Sequence, residues 1–452
     1  MNAKETTKSE ALNYFKKLIV ENSQIDPSMY ELYDIKRGLR NQNGTGVLVG
    51  VTKVANVHGY DIVDGNKVAA DGRLSYRGYD LEDLITGAKG DGRLGFEEVS
   101  YLLLFSELPT DEQLAMYNQL IREYRALPPR YLEEVILRYS SRNLMNRLQQ
   151  CVLSLYDYDD DPDNTSMPHI VAQAMGLIAK FPLILSYSYA AKKHYIDGES
   201  LVIHHPVDDY STAENILHMV RPDQDFTQQE VEILDMMLVV HADHGGGNNS
   251  AFATHVVSSS GTDIYSCIST ALGSLKGPRH GGANIKCAEM LCDISDHVPH
   301  WQKDSELRDY LLKILAREAN DGSGLIYGLG HAVYTRSDPR STVIKETARK
   351  LAKVKGMEEG LAMIECVERV GGELMQERRN LSYPLAANVD LYSGYVYKML
   401  GIPEELYTPM FALSRTSGWC AHLLEQIMDE KIMRPAYVNL YSSRKYLPLT
   451  DR

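Results

Sequence analysis

Three histidines in this sequence stand beside glycines in segments that interrupt helical patterns: His244 in HADHGGGN, His280 in GPRHGGAN and His331 in GLGHAVY. Imidazole packs poorly and moves protons well, while glycine lets a ligand approach the backbone closely. Each fits equally a loop histidine held by a local hydrogen bond, but three in one type of context favour chemistry. The residues after His280, GGANIKCAEMLCDI, have helical spacing, which puts His280 at a helix N-terminus. There the dipole disfavours imidazolium, and a neutral imidazole can donate to a developing enolate or alkoxide. The alternative is a histidine that only caps the helix. Asp390, in AANVDLYSG, follows an apolar stretch. Its carboxylate is either a helix cap or, in a dry pocket, a general base. Arg340 in SDPR, Arg415 in FALSRTSG and Arg434 in KIMRPAYVN offer forks that bind carboxylates bidentately. Singly each fits a surface position; near Gly-His loops they point to a di- or tricarboxylate.

Other chemistries find less support. There is no GxGxxG after a strand, no GxxxxGK[ST], no HExxH and no GxSxG. His241, Asp243 and His244 in HADH mimic metal-ligand spacing, and on a helix the two histidines share a face. That trio is the basis of a rival reading as a metal-dependent hydrolase, but it lacks a further ligand at diagnostic spacing. A non-catalytic helical scaffold is a third reading, and it leaves Asp390 and the three histidines without a reason.

The elements that must position these residues are mostly helices. Residues 11–22, 111–127, 131–156 and 305–319 place apolar side chains three and four apart, with helix-start signals in PTDEQ and FTQQEVEIL. Residues 170–191 form the longest apolar run, interrupted by Gln173, Lys180 and Pro182. It reads as a buried core helix broken near Pro182 rather than a membrane span. Strand-like Val-rich runs cut by Gly, Asn and Asp occur only in residues 46–78 and read as small hairpins. The Asp-rich residues 157–168 read as a solvated turn. No repeat of fixed period appears.

The chain has 452 residues, 44% hydrophobic and 24% charged, with a net charge of -14. These fractions are those of a globular protein, and the length exceeds the roughly 250–300 residues at which a single core stops growing. The acidic balance argues against a nucleic-acid partner. The segments around the histidines are nonetheless locally basic: Lys276, Arg279 and Lys286 stand against Glu289, and Arg336, Arg340 and Lys345 against Asp338. Six scattered cysteines without a CxxC pair read as buried free thiols. The polar N-terminus carries no secretory signal. A cytoplasmic location without a membrane partner is therefore expected.

The segments HADHGGGNNSAFATHVVSSSGTDIYSCISTALGSLKGPRHGGAN, GLGHAVYTRSDPR, NVDLYSGYVY and FALSRTSG, in this order, resemble the citrate synthase family. Upstream, GRLSYRGYDLEDL, FEEVSYLLLFSELPT and DYDDDPDNTS are similar to its N-terminal half. The resemblance implies an all-α fold with a large domain (1–282 plus 396–452), a small domain (283–395) and a homodimer. It implies condensation of acetyl-CoA with oxaloacetate and water to give citrate and CoA, with no cofactor and no metal. Asp390 matches the base for the acetyl-CoA methyl, His280 the neutral histidine on the thioester oxygen, and His331 the histidine on the oxaloacetate ketone. His244, Arg340 and Arg415 match the groups that hold the substrate carboxylates, and Arg434 the arginine supplied across the dimer. Leu275 and Gly277, with the turn Gly328, Leu329 and Gly330, match backbone that cradles CoA. Arg336, one position from a common family pattern, matches a residue near the CoA phosphates.

The sequence departs from the family at Arg279 before the catalytic histidine, at Gly245 after His244 and at Leu391 after Asp390. These touch acyl-CoA preference, so the nearest rival is a 2-methylcitrate synthase using propionyl-CoA with the same residues. Residues 1–45 match no family segment and read as a dimer arm or an extra helix.

Overall fold

A computed structural model describes residues 7–452. Among the described residues 17 α-helices carry most of the ordered chain, and the named strands form one three-stranded sheet. The chain is therefore all-α with a small β element, as expected. Its contacts divide it into two compact units. One joins the chain up to Gly50 to Arg434–Arg452, and the other is Val51–Met433.

In the first unit, helix Lys8–Ser23 starts at a capping box. The Thr7 side chain accepts from the Glu10 N–H, and Glu10 reaches back to the Thr7 N–H. The N-terminal segment without a family counterpart thus contains a helix. No residue of this helix is buried, and Leu12, Phe15 and Ile19 are exposed.

The second unit holds the sheet, β1 (Ala55–Val63), β2 (Asn66–Tyr76) and β3 (Tyr79–Asp80), antiparallel in that order. Asp64 and Gly65 close the first hairpin, both at positive φ, the conformation that a two-residue turn with an Asp-Gly sequence favours. Gly59 and Gly72 let the hairpin lie directly on the loop after His331. A Cβ at Gly59 would stand 2.6 Å from the Tyr334 Cα, and one at Gly72 would stand 2.2 Å from the Ser337 carbonyl oxygen. Thr335 Oγ1 donates to the hairpin and accepts from the Ala70 N–H at 3.1 Å, and the Gly72 N–H donates to Ser337 Oγ at 3.0 Å. The small sheet is thus a buttress for a histidine loop.

The start signals in PTDEQ and FTQQEVEIL are real: Thr110 and Thr227 cap helices Asp111–Tyr124 and Gln228–His241 through capping boxes. Three local expectations need correction. The periodic run 131–156 is not one helix; a π-type turn at Leu132–Leu137 precedes helix Leu144–Ser154. The Asn143 side chain, which accepts from the Asn146 N–H, starts the helix afresh. Pro182 does not break its helix, which runs unbroken over Met167–Tyr195. Nearly every residue from Gln173 to Ser188 is buried there, and that packing outweighs the ~3 kcal/mol that an internal proline costs. By length and composition this helix could cross a membrane, but 83% of its most apolar window is buried inside the protein. Finally, the Asp-rich turn is not uniformly solvated. Asp159 faces inward and accepts from Tyr265 Oη at 2.7 Å and Gln173 Nε2 at 2.8 Å. All six cysteines are free; Cys151, Cys267, Cys287 and Cys420 are buried, whereas Cys292 is exposed and Cys366 partly so.

Candidate active site

Helix Tyr407–Asp429 is buried along most of its length and carries Arg415 into the interior. Arg415 Nε donates to the His241 carbonyl at 2.8 Å, at the C-terminal end of helix Gln228–His241. Its Nη1 and Nη2 are buried without a partner. A buried cation with an unpaired fork is costly unless an anion completes it. The close approach of the two segments depends on Gly418, whose Cβ would stand 2.4 Å from the Ala242 carbonyl oxygen. Tyr76, at the end of β2, directs its fully buried hydroxyl at the carbonyls of Val239 (3.1 Å) and Asp243 (3.2 Å), which fixes the turn leading to His244. Gly245 follows at φ 76°, a left-handed conformation that the glutamate frequent in the family adopts poorly.

His244 Nε2 is buried and unpartnered. Burial, then Arg340, His331, Arg415 and His280, hold His244 well below the usual histidine range, so it is neutral. Its ring meets His331 edge to face at 5.0 Å. Arg340 is locked by Asp338 through Nε at 3.0 Å and Nη2 at 2.7 Å, both residues being buried. Asp338 also caps helix Pro339–Lys355, with Pro339 at its first position. Two guanidiniums and a neutral histidine with an open nitrogen therefore lie close together.

His331 lies on a strap that also governs Asp390. Gly328 and Gly330 have φ 84° and 82°, and a Cβ at Gly328 would strike Leu391 and Cys287 within 3 Å. The Gly330 N–H donates to the Ala386 carbonyl, the Asn388 N–H to the Gly328 carbonyl, and Asn388 Nδ2 to the Gly330 carbonyl, at 2.8, 2.9 and 2.8 Å. The same Asn388 caps helix Val389–Met399 by accepting from the Asp390 N–H at 2.9 Å. His331 Nδ1 accepts from the N–H groups of Val333 (3.0 Å) and Tyr334 (3.2 Å). The neutral ring then carries its proton on Nε2, where it can donate. Burial pushes the Asp390 carboxyl up to about 6, although Arg340 and Asn284 pull it down. Asn388→Ala removes the cap and the tie to Gly330 together. We expect a loss of about 1–2 kcal/mol in stability and a fall in kcat, with smaller changes in KM. Steady-state kinetics and thermal denaturation of the variant check this.

His280 stands just ahead of helix Ala283–His297, as its sequence suggests. The turn is tight. The Gly282 N–H reaches the carbonyls of Leu275 and Gly277 at 3.2 Å, and the His280 N–H reaches the Gly277 carbonyl at 2.9 Å. Cβ atoms at Gly281 and Gly282 would stand 2.6 and 2.7 Å from Leu275 Cδ1 and the Lys276 carbonyl oxygen. His280 is held at about 4, by burial and then by the charge of Arg415, and is neutral. Ser250 Oγ accepts from Trp419 Nε1 at 3.0 Å and lies 3.0 Å from His280 Nε2 and 2.8 Å from Asn248 Oδ1. Its single proton serves one of the latter two. Given to His280, it leaves the imidazole proton on Nδ1, across the ring.

A cavity of about 950 Å³ opens beside the strap, lined by Arg336, Lys345 and Arg349 and by the Tyr383–Ala387 segment. Arg336 is exposed on it. Leu275, fully buried, and Gly277 hold the His280 turn through their carbonyls.

The structure thus brings His244, His331, Arg340 and Arg415 into one buried cluster, with His280 and Asp390 within its electrostatic reach. Arg434 is exposed and belongs to the other compact unit. His241, Asp243 and His244 do not act as a trio. His241 Nδ1 is turned back on the Met237 carbonyl at 2.6 Å, while Asp243 takes the Gly245 N–H at 2.7 Å. Sequence reasoning missed Tyr76, Ser250, Asp338 and Asn388. The last three left a readable trace, since Asn-x-Ser, Asp-Pro-Arg and Asn-Val-Asp are helix-start signals beside residues already singled out.

A partly buried carboxylate with its pKa raised to about 6, two neutral histidines and an unfilled cationic fork are the equipment of an enzyme that makes a carbanion and joins it to an anionic acceptor. The comparisons give this class a family. The model described as "Citrate synthase, C-terminal domain" matches residues 43–436. A citrate synthase of Haloferax volcanii is 34% identical over 406 residues, 89% of this chain and 94% of the relative. A 2-methylcitrate synthase of Shewanella oneidensis is 33% identical over 382 residues, 84% and 92% respectively. Among solved structures, citrate synthase from Pyrobaculum aerophilum is similar with a TM-score of 0.72 at 30% identity, covering 90% of this chain and 93% of that one. The ternary complex of carboxymethyl coenzyme A and oxaloacetate with citrate synthase from Thermoplasma acidophilum gives 0.74 at 25% identity, covering 92% and 99%. The chain belongs to the citrate synthase family, and is a condensing enzyme of that type.

Proposed function

We propose that this enzyme condenses acetyl-CoA with oxaloacetate and water to give citrate and CoA. The observation that carries this reading is the pairing of Arg415, whose Nη1 and Nη2 are buried without partners, with His244, whose Nε2 is likewise unpartnered. Both are built for an anion that accepts hydrogen bonds, and Arg340 adds a second positive charge. Asp390 removes a proton from the thioester methyl. Because that methyl is a very weak acid, the developing enolate oxygen must be held as the proton leaves, and His280 is the donor in this reading. The carbanion attacks the ketone carbon of oxaloacetate, and His331 gives its Nε2 proton to the new alkoxide. Water then cleaves the thioester to release citrate and CoA-SH. The cavity at Arg336 suits CoA in this reading, and Leu275, Gly277 and the turn of Gly328, Leu329 and Gly330 are assigned to its cradle. No metal or cofactor enters this scheme.

Closure of a small domain (283–395) on a large one (1–282 plus 396–452) is part of the proposal, as is a homodimer in which each chain lends Arg434 to the other's site. Helices Asp304–Leu315, Pro339–Lys355, Glu358–Arg379 and Val389–Met399 pack largely on one another, which supports the first point. The exposed Tyr437, Tyr446 and Leu449 near Arg434 support the second, since such apolar side chains seek a partner surface. A cytoplasmic location remains our expectation.

The decisive experiment is a thiol-release assay. CoA-SH should appear from acetyl-CoA only when oxaloacetate is present; release independent of oxaloacetate would overturn the reading. A second reading, 2-methylcitrate synthesis, is favoured by the 33% identical relative of that name. One methylene in a pocket is worth ~1–3 kcal/mol. We therefore expect kcat/KM for acetyl-CoA to exceed that for propionyl-CoA by at least about tenfold, and the reverse order would assign the second activity.

A further inference from the structure

A second cluster of ionisable side chains lies behind the Asp243 turn, between helices Asn249–Ser258 and Tyr407–Asp429. His255 and His422 are both buried, and His255 Nε2 faces His422 Nδ1 at 3.1 Å. One of the two nitrogens should donate to the other, yet each ring has its proton engaged on its far side. His255 Nδ1 stands 3.0 Å from Gln426 Oε1. The amide orientation of Gln426 is set by its Nε2, which donates to the Lys431 carbonyl at 3.2 Å. An amide oxygen only accepts, so His255 carries its proton on Nδ1. His422 Nε2 stands 3.2 and 3.3 Å from the two carboxylate oxygens of Asp243. A carboxylate accepts, so His422 carries a proton on Nε2. With those two protons placed, His255 Nε2 and His422 Nδ1 face each other at 3.1 Å with neither far-side proton able to bridge them.

Two further observations bear on what lies between the two nitrogens. Glu425 brings a carboxylate oxygen into the same group, in which the candidate donor atoms all lie within 4.8 Å of one another. Its Oε1 takes the Lys53 N–H at 2.7 Å, while its Oε2 is buried without a partner. Gly246 supplies the clearance, since a Cβ there would stand 3.3 Å from His255 Nε2 and 3.7 Å from His422 Nδ1.

We propose that His255 Nε2, His422 Nδ1 and the Glu425 carboxylate bind a divalent metal ion of the zinc class, with Asp243 and Gln426 holding the two imidazoles from behind. Two nitrogens and one carboxylate oxygen leave a fourth tetrahedral position for water. Nitrogens bound to such an ion stand about 3.4 Å apart, so the pair needs to open by only a few tenths of an ångström. Both rings already have the outer-shell acceptor that metal-ligating histidines characteristically use. A proton shared between the rings would bridge the two nitrogens but would leave the buried Glu425 Oε2 without a partner. The ion would clamp helix Asn249–Ser258 to the helix carrying Arg415, so its place in the fold is structural, and it stands apart from the condensation chemistry.

The test uses full-length protein stripped with a chelator and titrated, without substrates, with CoCl2 and ZnCl2. Calorimetry should give one ion of either metal per chain, and Co2+ should show the visible bands of four-coordinate cobalt. His255→Gln should weaken binding at least about 100-fold, and Gln426→Leu about 10–100-fold. Glu425→Gln, at the less buried edge of the cluster, serves if His255→Gln does not fold and should weaken it at least about tenfold. His300→Ala, on an exposed turn, should change nothing. The proposal fails if neither metal binds at one per chain. It fails equally if the single site survives both His255→Gln and Glu425→Gln, or if NMR of metal-free protein shows a proton shared by the two rings that added Zn2+ does not displace.

Discussion

Asp390→Asn lowers kcat for CoA release by about 10²–10⁴-fold, the usual contribution of a positioned general base, without destabilising the protein. The substitution keeps the shape of the side chain and the Asn388 cap, which binds the backbone N–H of residue 390 rather than its side chain. What it removes is a carboxylate whose ionisation the fold resists, because burial pushes Asp390 up to about 6 from an ordinary 3.8. The base works only when deprotonated. In the wild type, log kcat/KM should therefore be flat above about 6 and fall with unit slope below it. His280, held at about 4, stays neutral through that window and adds no second limb there. The sign for stability is the opposite of that for activity. A carboxyl with a raised folded-state pKa contributes stability that is complete below its unfolded value and is lost as pH rises through about 6. The asparagine variant should consequently melt at or above the wild-type temperature near neutrality, and the difference should close toward about pH 4. Thiol-release kinetics and calorimetry across this range read both quantities. Activity within tenfold of wild type, or a wild-type profile that stays flat through pH 5, would remove Asp390 from the role of base.

Much of this site was legible in the sequence because its chemistry is tied to local motifs. A histidine followed by Gly-Gly can turn into a helix only where no Cβ is tolerated, and at Gly281 and Gly282 none is. Asp-Pro-Arg announces a helix start, and the aspartate that caps it also orients the arginine. The illegible parts depend on contacts between distant segments. Nothing near Tyr76 signals that its hydroxyl will hold the carbonyls of a turn more than 160 residues away. The unbroken helix through Pro182 is stabilised by neighbours that periodicity does not record. The low pKa of His280 is a similar case. A helix start is visible in sequence, whereas the burial and the Arg415 charge that set the value are tertiary. Composition misled in one place, since an Asp-rich run says nothing of the single aspartate, Asp159, that turns inward to meet Tyr265.

Arg415→Met should abolish oxaloacetate recognition while leaving the ligand-free protein as stable as before, or more so. In the free enzyme the guanidinium is fully buried, with Nε bonded to the His241 carbonyl and both terminal nitrogens unpartnered. Burial drives its pKa down to about 10, with Asp243 opposing that fall. A methionine fills similar volume without a charge to desolvate, so the melting temperature without ligand should hold or rise. Substrate binding has the reverse dependence. Losing one partner of a buried charge pair costs about 3–5 kcal/mol, which lowers kcat/KM for oxaloacetate by about 10²–10⁴-fold at 1.4 kcal/mol per decade. The KM for acetyl-CoA should move far less. Wild-type protein at oxaloacetate concentrations 100 times its Kd should gain about 2.7 kcal/mol, seen as a rise in melting temperature that the methionine variant lacks. Arg415→Lys keeps the charge but not the fork and should fall between the two. An undiminished thermal shift with oxaloacetate in Arg415→Met would show that the dicarboxylate is held elsewhere. Such a loss would explain how a chain of net charge -14 could recognise an anion: the deciding charges would be buried arginines, which the surface total does not report.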